Sequence, residues 1–393
     1  MDVEDFVTRE LACRRAAGLE RRLRCVDGAQ DTWIRVEGRR ALLLCSNNYL
    51  GLASHAALGE AASKAATDFG VGAGASRLIS GSMRLHHTLE ERLAALKGTE
   101  AALLFTSGYQ ANIGTITALV GPDDAIFSDE LNHASIIDGC RLSRARVSVY
   151  PHGDVAALEA LVACSAARRR LIVTDSIFSM DGDVAPLAAI CEVAERHGAM
   201  VMVDEAHATG VVGAHGGGVV EAEGLQDRIT VQMGTLGKAL GTFGAFVAAR
   251  RAVIDLLINT ARSFIYTTAL PPPVVAATLA ALHVIATEPE RRQRLTDNAA
   301  LLRRGLCQLG LDLGPVPASG LPGHIMPVRI GATQETMRLC ERLLAAEVFV
   351  QGIRPPTVPL GTARLRATVM STHTLQDIEF AVRQFQHVFS TES

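Results

Sequence analysis

Val201-Met202-Val203-Asp204-Glu205-Ala206-His207-Ala208-Thr209-Gly210 and, after a second apolar run, Gly234-Thr235-Leu236-Gly237-Lys238-Ala239-Leu240-Gly241 decide how this chain reads. Each apolar run is short and closed by polar and glycine residues. That is the pattern of a strand buried on both faces of a parallel sheet. The first run delivers a carboxylate and, three residues later, an imidazole. The second, Ile229 to Met233, delivers a hydroxyl and a lysine among glycines. In an open parallel sheet the ligand crevice lies just past the carboxyl ends of the strands. The stretch therefore predicts that Asp204, His207, Thr235 and Lys238 meet at one sheet edge.

The same rhythm recurs upstream. Ala101 to Phe105 runs into Thr106-Ser107-Gly108-Tyr109-Gln110-Ala111-Asn112, a strand, a small polar turn and a helix start. Backbone N–H groups at such a helix N-terminus favour an anion, so this turn is a candidate phosphate cradle. Ala125-Ile126-Phe127 precedes Asn132-His133-Ala134-Ser135, and Leu171 to Thr174 precedes Ser176 to Gly182. Helix Pro186 to His197 stops at Gly198 and feeds the Asp204 strand. Alternating strands and helices predict an α/β fold, a mostly parallel central sheet with helices on both faces.

Outside this core the pattern changes. Val3 to Arg24 predicts a helix whose arginines form a solvated face. Ala41 to Cys45 reads as a strand ending in the polar turn Ser46-Asn47-Asn48. The glycine-rich loop Phe69 to Arg77 precedes a helix marked by Leu85, Leu89, Leu93 and Leu96 and stopped by Gly98. After Arg292 come a helix ending at Gly310 and a proline- and glycine-rich segment, Gly314 to Gly323. Then follow strand His324 to Ile330, helix Glu335 to Ala346 and strand Val348 to Val350. Three prolines make Ile353 to Pro359 a loop. Arg364 to Val369 alternates, placing Arg364, Arg366 and Thr368 on one face. Leu375, Ile378, Val382, Phe385 and Phe389 mark a last amphipathic helix. The expected segmentation is an N-terminal helix and strand segment over 1–55, a large α/β domain over 56–290 and a smaller α+β C-terminal domain over 291–393.

Bulk properties narrow the class. The 393 residues are 48% hydrophobic and 20% charged, with net charge −3, which reads as a globular enzyme without a nucleic-acid footprint. The acidic start Met1-Asp2-Val3-Glu4-Asp5 lacks the apolar core of a signal peptide. The uncharged run Phe264 to Thr287 is broken by Pro271-Pro272-Pro273, leaving too few apolar residues for a membrane span. Eight cysteines occur with no Cys-x-x-Cys pair, so neither a metal site nor a redox motif is expected. Reduced thiols in a cytoplasmic protein are the reading.

A carboxylate, an imidazole and an amine at one sheet edge are the kit for holding pyridoxal phosphate as a Schiff base. Lys238, in a glycine- and leucine-lined turn of a lysine-poor chain, is the natural amine, prepared as nucleophile and base by partial burial. Asp204 follows a fully apolar triplet and needs a charged partner once buried, which a pyridinium supplies. Read singly, His207 and His133 are as well explained as core histidines, and Gly108, Tyr109, Ser179 and Thr235 as turn residues. Their recurrence at strand ends in one half of the chain is what makes them site candidates.

Ser46-Asn47-Asn48-Tyr49-Leu50-Gly51-Leu52, Gly72 to Gly81, Ser179-Met180-Asp181-Gly182-Asp183, Asp204 to Gly210 and Ile353-Arg354-Pro355-Pro356-Thr357-Val358-Pro359 through Arg366 carry a resemblance. Over nearly its whole length the chain resembles the fold-type I pyridoxal-phosphate transferases, and among them the α-oxoamine synthases. The resemblance implies that Lys238 carries the cofactor, Asp204 pairs with its ring nitrogen, His207 contacts its ring oxygen and His133 stacks on its ring. It further implies phosphate or ring contacts from Gly108, Tyr109, Ser179 and Thr235. Thr267 or Thr268 resembles the family's phosphate contact from a partner subunit, which implies a homodimer. Arg366 matches the arginine that holds the amino acid carboxylate, with Asn47. Arg21 and Thr357 match contacts near the acyl tail. The proline loop with Thr357 favours the branch that condenses L-alanine with a pimeloyl thioester, carried on coenzyme A or acyl carrier protein, in biotin synthesis. Glycine C-acetyltransferase, 5-aminolevulinate synthase and serine palmitoyltransferase activities share the core residues. An aminotransferase would share the aspartate and lysine. A cofactor-free partner subunit would not be expected to retain Lys238, Asp204 and both histidines.

Overall fold

The computed structural model describes residues 3–315 and 321–390. Its centre is a seven-stranded sheet, in the order Ala101–Phe105, Ala245–Ala249, Val231–Thr235, Met200–Asp204, Arg170–Asp175, Ala125–Asp129 and Arg146–Tyr150. Every pairing is parallel except those of Ala245–Ala249, which runs antiparallel to both neighbours. Successive side chains on a strand point to opposite faces, and the core divides accordingly. Val201, Val203 and Ile172 join one apolar cluster, while Met202, Leu171 and Val173 join the other, each covered by helices. Burial on both faces explains why these strands read as continuous apolar runs.

The C-terminal segment adds a three-stranded antiparallel sheet, with Ala363–Thr368 between Ile325–Gly331 and Gln351–Ile353. All six residues of Ala363–Thr368 are buried, the arginines included. Pro327 lies opposite Arg366 on an edge strand, where its missing N–H costs no ladder bond. The amphipathic helix Leu375–Ser390 buries Ile378, Ala381, Phe385 and Val388. The proline- and glycine-rich segment expected over Gly314 to Gly323 is described only outside 316–320.

Several boundaries differ from the sequence reading. The first helix is Val3–Ala16 rather than Val3 to Arg24, since Gly18 takes a left-handed conformation just beyond it. Residues Val348–Phe349 do not stay with the C-terminal sheet. They pair in parallel with Arg39–Leu43, so a strand from each end of the chain shares one four-stranded sheet. This seam carries Ser46 to Tyr49 toward the Arg366 strand, where the backbone N–H of Thr368 donates to the Leu44 carbonyl at 2.8 Å.

Two contacts pin the turns around the sheet edge. Gly241 has φ of +68°, and a Cβ there would stand 2.4 Å from the Ala53 nitrogen. Only glycine lets the Lys238 turn approach the backbone at Leu52 and Ala53 so closely. Lys97 and Glu205, both fully buried, form an ion pair at 2.6 Å. Lys97 Nζ also donates to the Gly217 carbonyl, and the Val220 N–H donates to Glu205 Oε1 at 3.0 Å. Every strong bond of Glu205 is thus satisfied in the turn that follows Asp204.

Removing one partner of such a pair strands the other charge in the core. Lys97→Met is expected to lower stability by about 3–5 kcal/mol, read from the denaturant midpoint of the full chain. A loss below about 1 kcal/mol would show that the pair does not hold this turn.

Candidate active site

Asp204 closes its strand at 2% exposure. Its Oδ1 accepts from the Ala206 N–H at 2.9 Å and its Oδ2 from Asn112 Nδ2 at 2.8 Å. Both donors are neutral amides, and among the described residues no cation forms an ion pair with it. A buried carboxylate in that condition calls for a cationic ligand group.

Lys238 points its amine at His207. Nζ stands 2.8 Å from Nε2, while His207 Nδ1 stands 2.7 Å from Tyr49 Oη. The Tyr49 hydroxyl donates to Asn47 Oδ1 at 3.0 Å. With that proton committed, His207 Nδ1–H donates to Tyr49, and the bare Nε2 accepts from Lys238. Burial pushes the His207 pKa well below the usual imidazole range, with the Lys238 and Arg366 charges acting in the same direction. Burial also brings the Lys238 amine down to about 8, which Asp204 opposes and Arg366 assists. The amine is thereby closer to its neutral, nucleophilic form at physiological pH.

The chain has three lysines, Lys64, Lys97 and Lys238. Lys64 lies exposed on the helix Ala56–Phe69 and Lys97 is sealed in its ion pair. Lys238 alone combines a depressed pKa with access to a cavity, one of about 190 Å³. Gly108, Tyr109, His133, Asp204, His207 and Thr235 line it too. Gly108 and Tyr109 begin the helix Gly108–Leu119, whose cap is Ser107 Oγ accepting from the Gln110 N–H at 3.2 Å. Free N–H groups of this first turn suit a phosphate. Thr235 closes its strand and donates to the Gly244 carbonyl at 3.1 Å. His133 caps the next helix, Ala134–Ser143, and its N–H donates to Asp175 Oδ2 at 2.8 Å.

Arg366 is 6% exposed and likewise has no ion-pair partner among the described residues. Its Nη1 and Nη2 donate to Asn47 Oδ1 at 3.2 and 3.3 Å, its Nε to the Ser179 carbonyl at 2.6 Å, and Nη2 reaches Tyr49 Oη at 3.4 Å. Its partners are all neutral, so a carboxylate ligand would be its first counter-charge. Neighbouring Arg364 differs, being paired with Asp181 at 2.5 Å. The Ser179 loop is anchored at its other end by His152, set between Asp129 at 3.0 Å and Asp183 at 2.5 Å, hydrogen bonds that push its pKa up to about 10.

Ser179 therefore meets Arg366 through its backbone, and it does not line the Lys238 cavity. Arg21 and Thr357 are brought together, with Arg21 Nη2 donating to Thr357 Oγ1 at 3.4 Å. Thr357 lines a second, larger cavity of about 680 Å³, walled by Leu131, Phe178, Met180 and Val358. Thr267 and Thr268 stand apart from Lys238 in this chain. They border a small void with Arg77 and His86, and Thr268 bridges Ser76.

Four residues were missed by sequence reasoning. Asn112, Ser135 and Asp175 line the Lys238 cavity, and Tyr49 links His207 to Arg366. Asn112 sits one helical turn after Gly108 and Asp175 pairs in register with Asp204, so helix and sheet spacing held a signal for both. Among the described residues no cluster of potential metal ligands occurs.

An unpaired buried anion, an amine with a lowered pKa and a helix N-terminus fit the pyridinium, aldehyde and phosphate of pyridoxal phosphate. Comparison with known proteins agrees. Residues 39–385 match the family described as aminotransferase class I and II. A curated 8-amino-7-oxononanoate synthase from Geobacter metallireducens is 54% identical over 376 residues, 95% of each chain. A serine palmitoyltransferase from S. paucimobilis, solved with bound PLP and myriocin, superposes with a TM-score of 0.93 at 31% identity, covering 100% of this chain and 99% of that one. An 8-amino-7-oxononanoate synthase from Francisella tularensis superposes with a TM-score of 0.74 at 28% identity, covering 90% and 98%. The fold is that of the fold-type I pyridoxal-phosphate transferases, and the chain belongs to the class I and II aminotransferase family and, within it, to the α-oxoamine synthases.

Proposed function

We propose that this protein holds pyridoxal 5′-phosphate on Lys238 and condenses L-alanine with a pimeloyl thioester. The products are 8-amino-7-oxononanoate, CO2 and free thiol, a step of biotin synthesis. The observation that carries this reading is Arg366, a buried guanidinium without an anion, tied through Tyr49 and His207 to the Lys238 amine. That supports a carboxylate pocket near the amine, as an amino acid substrate requires. Curated relatives named 8-amino-7-oxononanoate synthase support the choice of amino acid and acyl group.

The bound cofactor supplies an electron sink for the amino acid Cα, so that a Cα–H bond and later a Cα–carboxylate bond can break. The chain's own groups do the rest. Asp204 would hold the ring nitrogen's proton, and His207 would contact the ring oxygen. His133 covers the ring, while Gly108, Tyr109 and Thr235 take the phosphate end and the Ser179 carbonyl orients Arg366. Arg366 and Asn47 grip the alanine carboxylate. Lys238, as the neutral amine, takes the Cα proton and returns one at the end. Orientation of two substrates against one carbon is the main task. The larger cavity gives the acyl chain an apolar wall, and Arg21 with Thr357 stands where the far carboxylate of pimelate would be held.

Thr267 or Thr268 is assigned to the phosphate bound by a partner subunit in a homodimer. The exposure of Val71, Ile79, Phe243 and Tyr266 supports an apolar surface for that pairing. The segmentation 1–55, 56–290 and 291–393 and a cytoplasmic location complete the reading. Free cysteines support the latter, and no helix among the described residues is long and apolar enough to cross a membrane.

Thiol release tests the reading directly. L-alanine with pimeloyl thioesters should turn over, and glycine, serine or acetyl thioesters should lag. A preference for glycine or serine would move the protein to another branch of the family. In the same assay Arg366→Gln should raise the KM for alanine about 10- to 100-fold, the worth of lost charge-assisted bonds. Arg21→Ala should act on the thioester KM instead, and equal effects on both substrates would remove Arg21 from the acyl site.

Cofactor uptake has a predicted pH dependence. Only the neutral amine attacks the aldehyde, so uptake should rise with pH through a midpoint of about 8, the Lys238 value. A midpoint near the ordinary lysine value of about 10.4 would contradict burial of this amine.

A further inference from the structure

Asn112 and Ser135 are fully buried beneath the site, and neither takes part in the chemistry above. Asn112 Nδ2 lies 2.8 Å from Asp204 Oδ2 and 2.8 Å from Ser135 Oγ. A carboxylate can only accept, so the NH2 of the amide must face Asp204, and the amide's orientation is fixed by chemistry. Its second N–H then reaches Ser135 Oγ, which accepts it. The Ser135 hydroxyl proton is left for His133 Nδ1, 2.7 Å away, and the Ser135 backbone N–H aims at the same nitrogen at 3.3 Å. His133 Nδ1 therefore accepts twice and has no place for a proton of its own.

We propose that Asn112 and Ser135 are positioning residues that lock His133 as the neutral tautomer with its proton on Nε2, and bind that imidazole to Asp204 through one relay. The orientation of Asn112 has a cost that supports its purpose. Its Oδ1 is buried without a hydrogen-bond partner. An orphaned buried acceptor opposes folding, so the amide is retained for its two donors. Protonating His133 on Nδ1 would set two N–H groups against each other and turn the serine proton back onto Asn112. The groups facing His133 are the Asp204 carboxylate, the Asp175 carboxylate that holds its backbone N–H, the Lys238 amine and the His207 ring. Burial lowers its pKa, Lys238 adds to that, and Asp204 opposes it. A lowered pKa means the ring stays neutral further toward acid than a free histidine does. His133 then offers a fixed Nε2–H donor to whatever enters the cavity. Formation of an imidazolium that would compete with the cofactor's ring nitrogen for Asp204 is thereby disfavoured.

The relay belongs to the chain itself, so its test does not depend on the assigned reaction. Long-range proton–nitrogen correlation on cofactor-free protein labelled at histidine reads the tautomer, with the His133 signal identified by its loss in His133→Asn. The expected spectrum shows a bare Nδ1 and a protonated Nε2, with the titration displaced to the acid side of a free histidine's. Ser135→Ala should raise the His133 midpoint by about one pH unit, the worth of one hydrogen bond, and Ser135→Thr should restore it. Asn112→Leu should give part of that rise by freeing the serine hydroxyl to turn. Two results would overturn the inference. One is an Nδ1–H signal in the unsubstituted protein, which needs no variant to fold. The other is a His133 titration that Ser135→Ala leaves in place.

Discussion

Two buried charges of opposite sign, Asp204 and Arg366, form no ion pair with each other or with any other side chain among the described residues. Each is wrapped in neutral hydrogen-bonding groups that keep it soluble in the interior without discharging it. Leaving ions in that state opposes folding, and a sequence selected for stability alone would pair them or replace them. A ligand pair that brings a ring cation to one and a carboxylate to the other turns the same charges into binding energy. The Lys238 amine, its pKa lowered by burial, is joined to Arg366 by His207 and Tyr49.

The fold keeps the two charges apart yet near. Asp204 ends a central strand of the large sheet, and the Lys97–Glu205 pair fixes the turn beyond it. Arg366 comes from the middle of a different sheet, near the other end of the chain. What brings it to the site is the seam between Arg39–Leu43 and Val348–Phe349, which also delivers Asn47 and Tyr49. The close approach of Gly241 to Leu52 and Ala53 locks the Lys238 turn to the same segment. Substrate recognition is thus built where three stretches distant in sequence converge, while the cofactor's anchor is built from consecutive strand ends.

That difference explains what could be read from sequence. Asp204, His207, Thr235 and Lys238 were legible because short apolar runs ending in polar and glycine residues are the mark of buried parallel strands. The rule for ligand crevices then places their ends together. The pairing of Val348–Phe349 with Arg39–Leu43 was not legible, since a run so short says nothing about its partner. The antiparallel course of Ala245–Ala249 was equally hidden, because a strand buried on both faces reads the same in either direction. Asn112 and Ser135 escaped notice because a polar residue inside a helix reads as solvated until its face is known. Arg21 and Thr357 were named through the family resemblance, and the structure brings them into contact with each other.

The claim on which most else depends is that Asp204 lacks a cation because the cofactor's ring nitrogen supplies it. Nitrogen NMR of the protein loaded with pyridoxal phosphate labelled at its ring nitrogen measures this directly. The account predicts a protonated pyridinium that persists at pH values where the free cofactor has lost that proton. A neutral pyridine signal in the bound state would contradict it.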